Sequence, residues 1–225
     1  MFRKNQGVGV RAFYHISKIT PEPVVKLGAV SQIRRHIHEH PELSNEEFKT
    51  TELIKEKLTE YGVEIVDIGL KTGVVGILRG KNPGKTVAIR EDIDALPMQE
   101  LTGLPYASQT ANVCHSCGHD IHTTTLLYTA KVLSQLKEEL NGNVMFLFQP
   151  AEENGSGAKQ LIDCGFDKVL KPDAFVGLHV APNLTAGCNG LNDRAATHSP
   201  DVFPSRATGT GGPASPPDHF HPPAY

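Results

Sequence analysis

Three things are scarce in this chain of 225 residues. It has no apolar run long enough to cross a bilayer, so no membrane partner is expected. It has no excess of one charge: 22 basic against 25 acidic residues give a net charge of -3, which leaves no electrostatic case for nucleic acid. It has only four cysteines, too few and too irregularly spaced for a disulfide framework. Two of them, Cys164 and Cys188, stand alone and read as small core residues. Arg3, Lys4 and Arg11 have no apolar segment behind them, so no secretory signal is read. A reduced, cytoplasmic setting is the expectation.

What the chain does have is concentrated in one stretch, Cys114-His115-Ser116-Cys117-Gly118-His119-Asp120-Ile121-His122. Packing has no use for two thiols, three imidazoles and a carboxylate so close together. Metal chemistry does, because thiolate and neutral imidazole hold zinc and similar divalent ions. Glu152-Glu153 and His179 offer further donors downstream. Cys117, His119, one of the two glutamates and His179 make a ligand set that suits hydrolysis of an amide bond better than redox work. The other carboxylate is then free to move a proton.

The surrounding pattern is α/β. Residues 1–30 are weakly patterned, with Pro21 and Pro23, and read as a leader. His36, His38 and His40 alternate; His36 and His40 read as exposed or supporting, and His38 is left open. Ser44-Asn45-Glu46-Glu47 fits a capping box, with Ser44 capping and Glu47 reaching back. The helix that follows has Phe48, Thr51, Ile54, Leu58 and Tyr61 on one face, and Gly62 stops it. Strands are expected at 63–66, 74–78 and 86–89, with a turn at 82–85. The third strand runs into Arg90-Glu91-Asp92-Ile93-Asp94-Ala95-Leu96-Pro97, where open α/β sheets place their chemistry. Asp94 is balanced between that role and a loop or capping aspartate.

A helix is expected over 123–140, with Leu126, Leu127, Ala130, Leu133 and Leu136 as its buried stripe. A turn at 141–143 leads to a fully buried strand at 144–148. That strand exits into Gln149-Pro150-Ala151-Glu152-Glu153. A helix begins at 157–163, and a second buried strand at 174–178 ends at His179. Three strands thus deliver Asp92, Glu152/Glu153 and His179 to one edge of a sheet. From about residue 195 the composition changes. Residues 198–225 hold seven of the sixteen prolines and little apolar periodicity, too little to offset the cost of ordering.

Four of these segments together resemble the amidohydrolase branch of the aminoacylase/carboxypeptidase G metallopeptidases, which includes hippurate hydrolases and N-acyl-amino-acid amidohydrolases. They are residues 90–97, 115–123, 149–153 and Gly177-Leu178-His179-Val180. Residues 34–47 resemble the same branch's N-terminal helix, and the likeness runs from about residue 33 to 191. The resemblance implies a zinc-exopeptidase-like three-layer α/β/α domain with an inserted α+β lid that commonly dimerises. It implies two divalent ions (Mn, Zn, Co or Ni) and hydrolysis of N-acyl amino acids or short peptides by a metal-activated water. Residue by residue, it makes Cys117, His119, Glu153 and His179 metal ligands. It makes Glu152 the general acid/base, and Asp92 the aspartate that orients a ligand.

On this reading residues 31–195 are the N-terminal part of the catalytic domain, and 196–225 are a degenerate start of the lid. The lid's glycine-rich motif would fall at 208–217, with Pro213 where relatives have a histidine. His198, His219 and His221 do not fit the family's last ligand motif. A truncated member, weakly active or inactive alone, is therefore the expectation. Two other readings compete. One is a non-catalytic zinc-binding fragment closed by Cys114, Cys117, His119 and His122. The other is a thiol redox protein built on the Cys-x-x-Cys pair.

Overall fold

The computed structural model describes residues 27–182. Helix α1 spans Leu27–Glu39 and α2 Phe48–Glu60. Strands β1 (Glu64–Val66), β2 (Val74–Arg79) and β3 (Asn82–Asp92) follow. Helix α3 covers His119–Gln135 and runs into a single 3-10 turn, Lys137–Glu139. Strand β4 (Asn141–Gln149), helices α4 (Gly157–Asp163) and α5 (Phe166–Val169), and strand β5 (Ala174–Gly177) complete the order.

The five strands form one mixed sheet in the order β1-β2-β4-β3-β5. β1, β2 and β4 pair antiparallel, while β4, β3 and β5 run parallel. Alternation along the strands separates two cores. Val74, Leu78, Phe146 and Phe148 pack with Ile54 and Leu58 of α2 and Leu126, Leu127 and Ala130 of α3. Val75, Ile77, Ala88, Met145 and Leu147 pack on the opposite face with Leu161 of α4 and Phe166 of α5. Helices on both faces of a mixed sheet make the expected three-layer α/β/α arrangement.

Several local expectations are met. Gly62, at φ +72°, ends α2. Its N–H reaches the Thr59 carbonyl and that of Val63 the Leu58 carbonyl, the paired bonds of a Schellman motif. Others are corrected. The capping box at Ser44 does not form. The Glu42 carboxylate instead accepts the N–H groups of Lys49 and Thr50, Ser44 turns to Asp94, and Glu47 is fully buried. The expected turns at 82–85 and 141–143 are strand. They pair with each other across a register shift, joined by Asn82 Nδ2 donating to Asn141 Oδ1 at 2.9 Å. β5 is not buried: among the described residues it lies at the sheet edge, and every one of its residues is exposed. The leader's residues 1–26, Cys188, Pro213, His198, His219, His221 and the whole of 196–225 lie outside the described residues.

Candidate metal centre

Four segments meet at the carboxyl ends of β3, β4 and β5. β3 runs past its last ladder pair, and Ile93 N–H donates to the Gln149 carbonyl, fastening it to the end of β4. Leu96 and Cys114 then exchange both backbone bonds at 3.0 Å. That bridge places the Cys/His stretch beside the β3 exit. Gly118, in the left-handed region at φ +87°, turns the chain directly into α3. The helix therefore begins at His119, four residues before the expected start, and His119, Asp120 and His122 lie in its first turn.

β4 exits into a left-handed Ala151 (φ +50°), a conformation that costs a non-glycine residue about 1–3 kcal/mol. The buried Glu47 carboxylate holds this turn by accepting the Ala151 N–H at 2.8 Å, and it also accepts from Thr72. The turn aims Glu152 and Glu153. The Glu153 N–H is fixed to Asp94 Oδ2 at 3.0 Å.

His119 is at the centre and fully buried. Its Nδ1 bonds the Asp94 carbonyl oxygen at 2.9 Å, with Asp94 Oδ1 at 3.3 Å. A carbonyl only accepts, so the proton is on Nδ1 and the Nε2 lone pair is free. Around Nε2 lie Asp92 Oδ1 at 3.5 Å, Glu153 Oε1 at 3.7 Å and Glu152 Oε2 at 3.8 Å. Cys117 Sγ lies 3.4 Å from His179 Nε2. Cys117, His119 and His179 form one group of mutually close donors, and His119, Glu152 and Glu153 form another. Donors about 2.0–2.3 Å from one ion stand roughly 3–4 Å from each other in a tetrahedral site. Among the described residues, His119 Nε2 and Glu153 Oε1 are buried with no hydrogen-bond partner. Two such orphaned atoms facing each other fit a bound cation better than they fit any packing need.

The electrostatics agree. The neighbouring His119 and His179 imidazoles hold the Cys117 thiol below its ordinary range. The bond to Cys117 pushes His179 up to about 9 against its burial. Burial opposes charge on His119, yet the neighbouring Asp94, Cys117 and Asp92 raise it. Burial likewise opposes charge on Asp92, yet the His122 bond and the neighbouring His119 and Arg90 hold it well below the carboxylate range. Burial raises Glu153.

All six residues singled out from the sequence, Asp92, Cys117, His119, Glu152, Glu153 and His179, therefore lie in one cluster. Asp92 bonds His122 Nδ1 at 2.6 Å and pairs with Arg90 at 2.9 Å, while Asp94 faces His119. Cys114 joins none of the donor groups among the described residues. His38 is buried elsewhere, bonded to Asp120 at 2.8 Å and Glu100 at 3.2 Å; together with Arg34, 2.7 Å from Asp120, it braces the start of α3. The sequence reading gave no place in the site to Glu47 or Glu91, and it placed His122 only in the competing closed Cys/His site. Its position three residues after His119 puts it on the same side of a helix that starts earlier than expected.

Residues 88–196 match the peptidase family M20/M25/M40. The chain is 46% identical over 180 residues to an N-acetyl-L-cysteine deacetylase of Bacillus subtilis, covering 80% of this chain and 42% of that protein. It is 41% identical to a hippurate hydrolase of Campylobacter jejuni, covering 92% and 54%. A crystal structure of a Bacillus subtilis dinuclear metal-binding peptidase of the M20 family superposes with TM-score 0.68 at 45% identity, over 70% of this chain and 44% of that one. The chain spans about half the length of the curated relatives it matches.

Proposed function

We propose that this chain, which carries a peptidase family M20/M25/M40 domain, contributes the metal centre of an enzyme that hydrolyses the amide bond of N-acyl amino acids or short peptides. The observation that carries this reading is the free, buried Nε2 of His119, surrounded by donors from three other segments. Cys117, His119, Glu153 and His179 would hold divalent metal, two ions in the complete site. A divalent ion there supplies Lewis acidity, which acidifies water and polarises an amide carbonyl.

The two glutamates differ in a way that divides the remaining work. The Glu153 side chain is 14% exposed, and its backbone is anchored on Asp94. That suits a fixed ligand. The Glu152 side chain is 40% exposed. It can take a proton from water and return it to a leaving amine, a role worth roughly 10²–10⁴ in rate. Asp94 keeps the proton of His119 on Nδ1, and Asp92 acts through His122. The substrate is a small molecule, and a reduced cytoplasmic setting suits the free thiols of Cys114, Cys117 and Cys164. No helix among the described residues is long and apolar enough to cross a membrane.

Elemental analysis of the purified chain after dialysis tests the centre. Metal is expected in the parent and reduced in both Glu153→Ala and His179→Ala. Glu152→Gln is expected to keep the metal and to lower any hydrolysis of N-acetyl-L-cysteine or hippurate about 100-fold or more. Metal retained in both ligand variants would overturn the reading in favour of a local Cys/His site.

A further inference from the structure

The β3·β5 ladder ends at the pair Arg90 and Gly177. Beyond it the descending chain has no strand partner among the described residues, and two side chains take over. Leu178 N–H donates to Glu91 Oε1 at 3.1 Å. Val180 N–H donates to His122 Nε2 at 2.9 Å. His179 lies between these two fastened amides. A nitrogen that accepts from an amide carries no proton, so the proton of His122 is on Nδ1, where it is donated to Asp92 Oδ1 at 2.6 Å. Both ring nitrogens are then engaged. His122 stands close enough to Asp92 and His119 to count as a metal donor, but in this arrangement it has no lone pair to offer.

We propose that Glu91 and His122 are positioning residues that clamp the segment bearing His179 against Cys117, with Asp92 selecting the His122 tautomer. The assignment rests on the reading of Cys117 and His179 as metal donors. Three further observations support it. The His122 and His179 rings meet edge to face, with centroids 4.7 Å apart. A Cβ on Gly118 would lie 2.6 Å from Val180 Cγ2, so the segment seats where only glycine leaves room. And Phe175, Val176 and Leu178 are each about half exposed, so apolar burial does little to hold this part of the chain. Polar fastening replaces it, much as outer-shell partners fix metal-binding histidines elsewhere.

The test uses the full 225-residue chain, metal-free and then titrated with cobalt(II). In the metal-free parent, nitrogen-15 shifts of His122 should report the Nδ1–H tautomer, and the Leu178 and Val180 amides should both exchange slowly. In His122→Phe the Val180 amide alone should lose protection. Cobalt affinity should fall about 10- to 100-fold, while the thiolate-to-cobalt band from Cys117 persists. His122→Gln, whose amide oxygen can accept from Val180, should recover most of the affinity. A proton on Nε2, or a parent-like affinity in His122→Phe, would overturn the clamp. So would loss of the thiolate band in step with affinity, because the damage would then be general. A parent that binds no cobalt would sink the metal-centre reading instead, and the tautomer and amide exchange would still decide the clamp.

Discussion

Strand β4 runs through the middle of the sheet with Met145, Phe146 and Phe148 fully buried, whereas β5 lies at the edge with Phe175 59% and Val176 48% exposed. Both strands end in residues of the same cluster. Glu152 and Glu153 are aimed by a turn rooted in the core, through Ala151 and the buried Glu47. His179 is held by hydrogen bonds from its flanking amides. One half of the site inherits its geometry from packing, and the other from a few polar contacts. The first should fail only with the fold. The second should fail alone.

The largest effect expected from this contrast is in the core. Phe146→Ala should cost about 3–5 kcal/mol, whereas Phe175→Ala should cost less than about 1 kcal/mol, both from urea unfolding of the metal-free chain. Equal costs would break the comparison.

Next comes the root of the β4 turn. Glu47→Ala strands the Ala151 N–H and should cost about 1–3 kcal/mol. Burial raises the Glu47 pKa, against its bonds to Thr72 and Ala151. A raised folded value means that this group's stabilising contribution is fully present below the ordinary carboxylate range and is lost as pH rises through the raised value. Glu47→Gln keeps an acceptor for Ala151 and removes the charge. Its stability relative to the parent should therefore grow as pH rises above the ordinary carboxylate range; a difference that stays flat would refute the sign.

A smaller and more local effect is expected at Gly118, where Ala meets both a positive φ and the Val180 side chain. A loss of roughly 1–2 kcal/mol should come with weaker metal retention, and unchanged retention would mean that the Val180 contact does not position His179. The smallest effect belongs to Cys114→Ala. It should cost about 1 kcal/mol and leave the metal content at the parent level, and metal loss would revive the closed Cys/His site.

Much of this was legible in the sequence where periodicity and donor chemistry speak locally. The face of α2 formed by Thr51, Ile54 and Leu58 is buried as expected, Gly62 stops that helix, and α4 begins at the expected segment. The failures share a cause. Asn82-Pro83-Gly84-Lys85 has turn composition, but its partner is Asn141, 59 residues away, and a ladder overrides local preference. Ser44 and Glu47 have capping-box spacing, yet Ser44 spends its hydroxyl on Asp94 and Glu47 its carboxylate on Thr72 and Ala151. The apolar run at 174–178 reads as buried because composition cannot tell a central strand from an edge strand.

The sequence by itself determined the α/β order of elements, the donor types, and their arrival at strand ends and one helix start, because these depend on residue chemistry and short-range period. Only the tertiary structure decided which buried polar group serves which. It set Asp94 against His119, Asp92 against His122, and His122 and Glu91 under the His179 segment. These partners lie 25 to 87 residues apart in the chain. A buried donor or acceptor must find its complement in space, and no local pattern records where that complement will be.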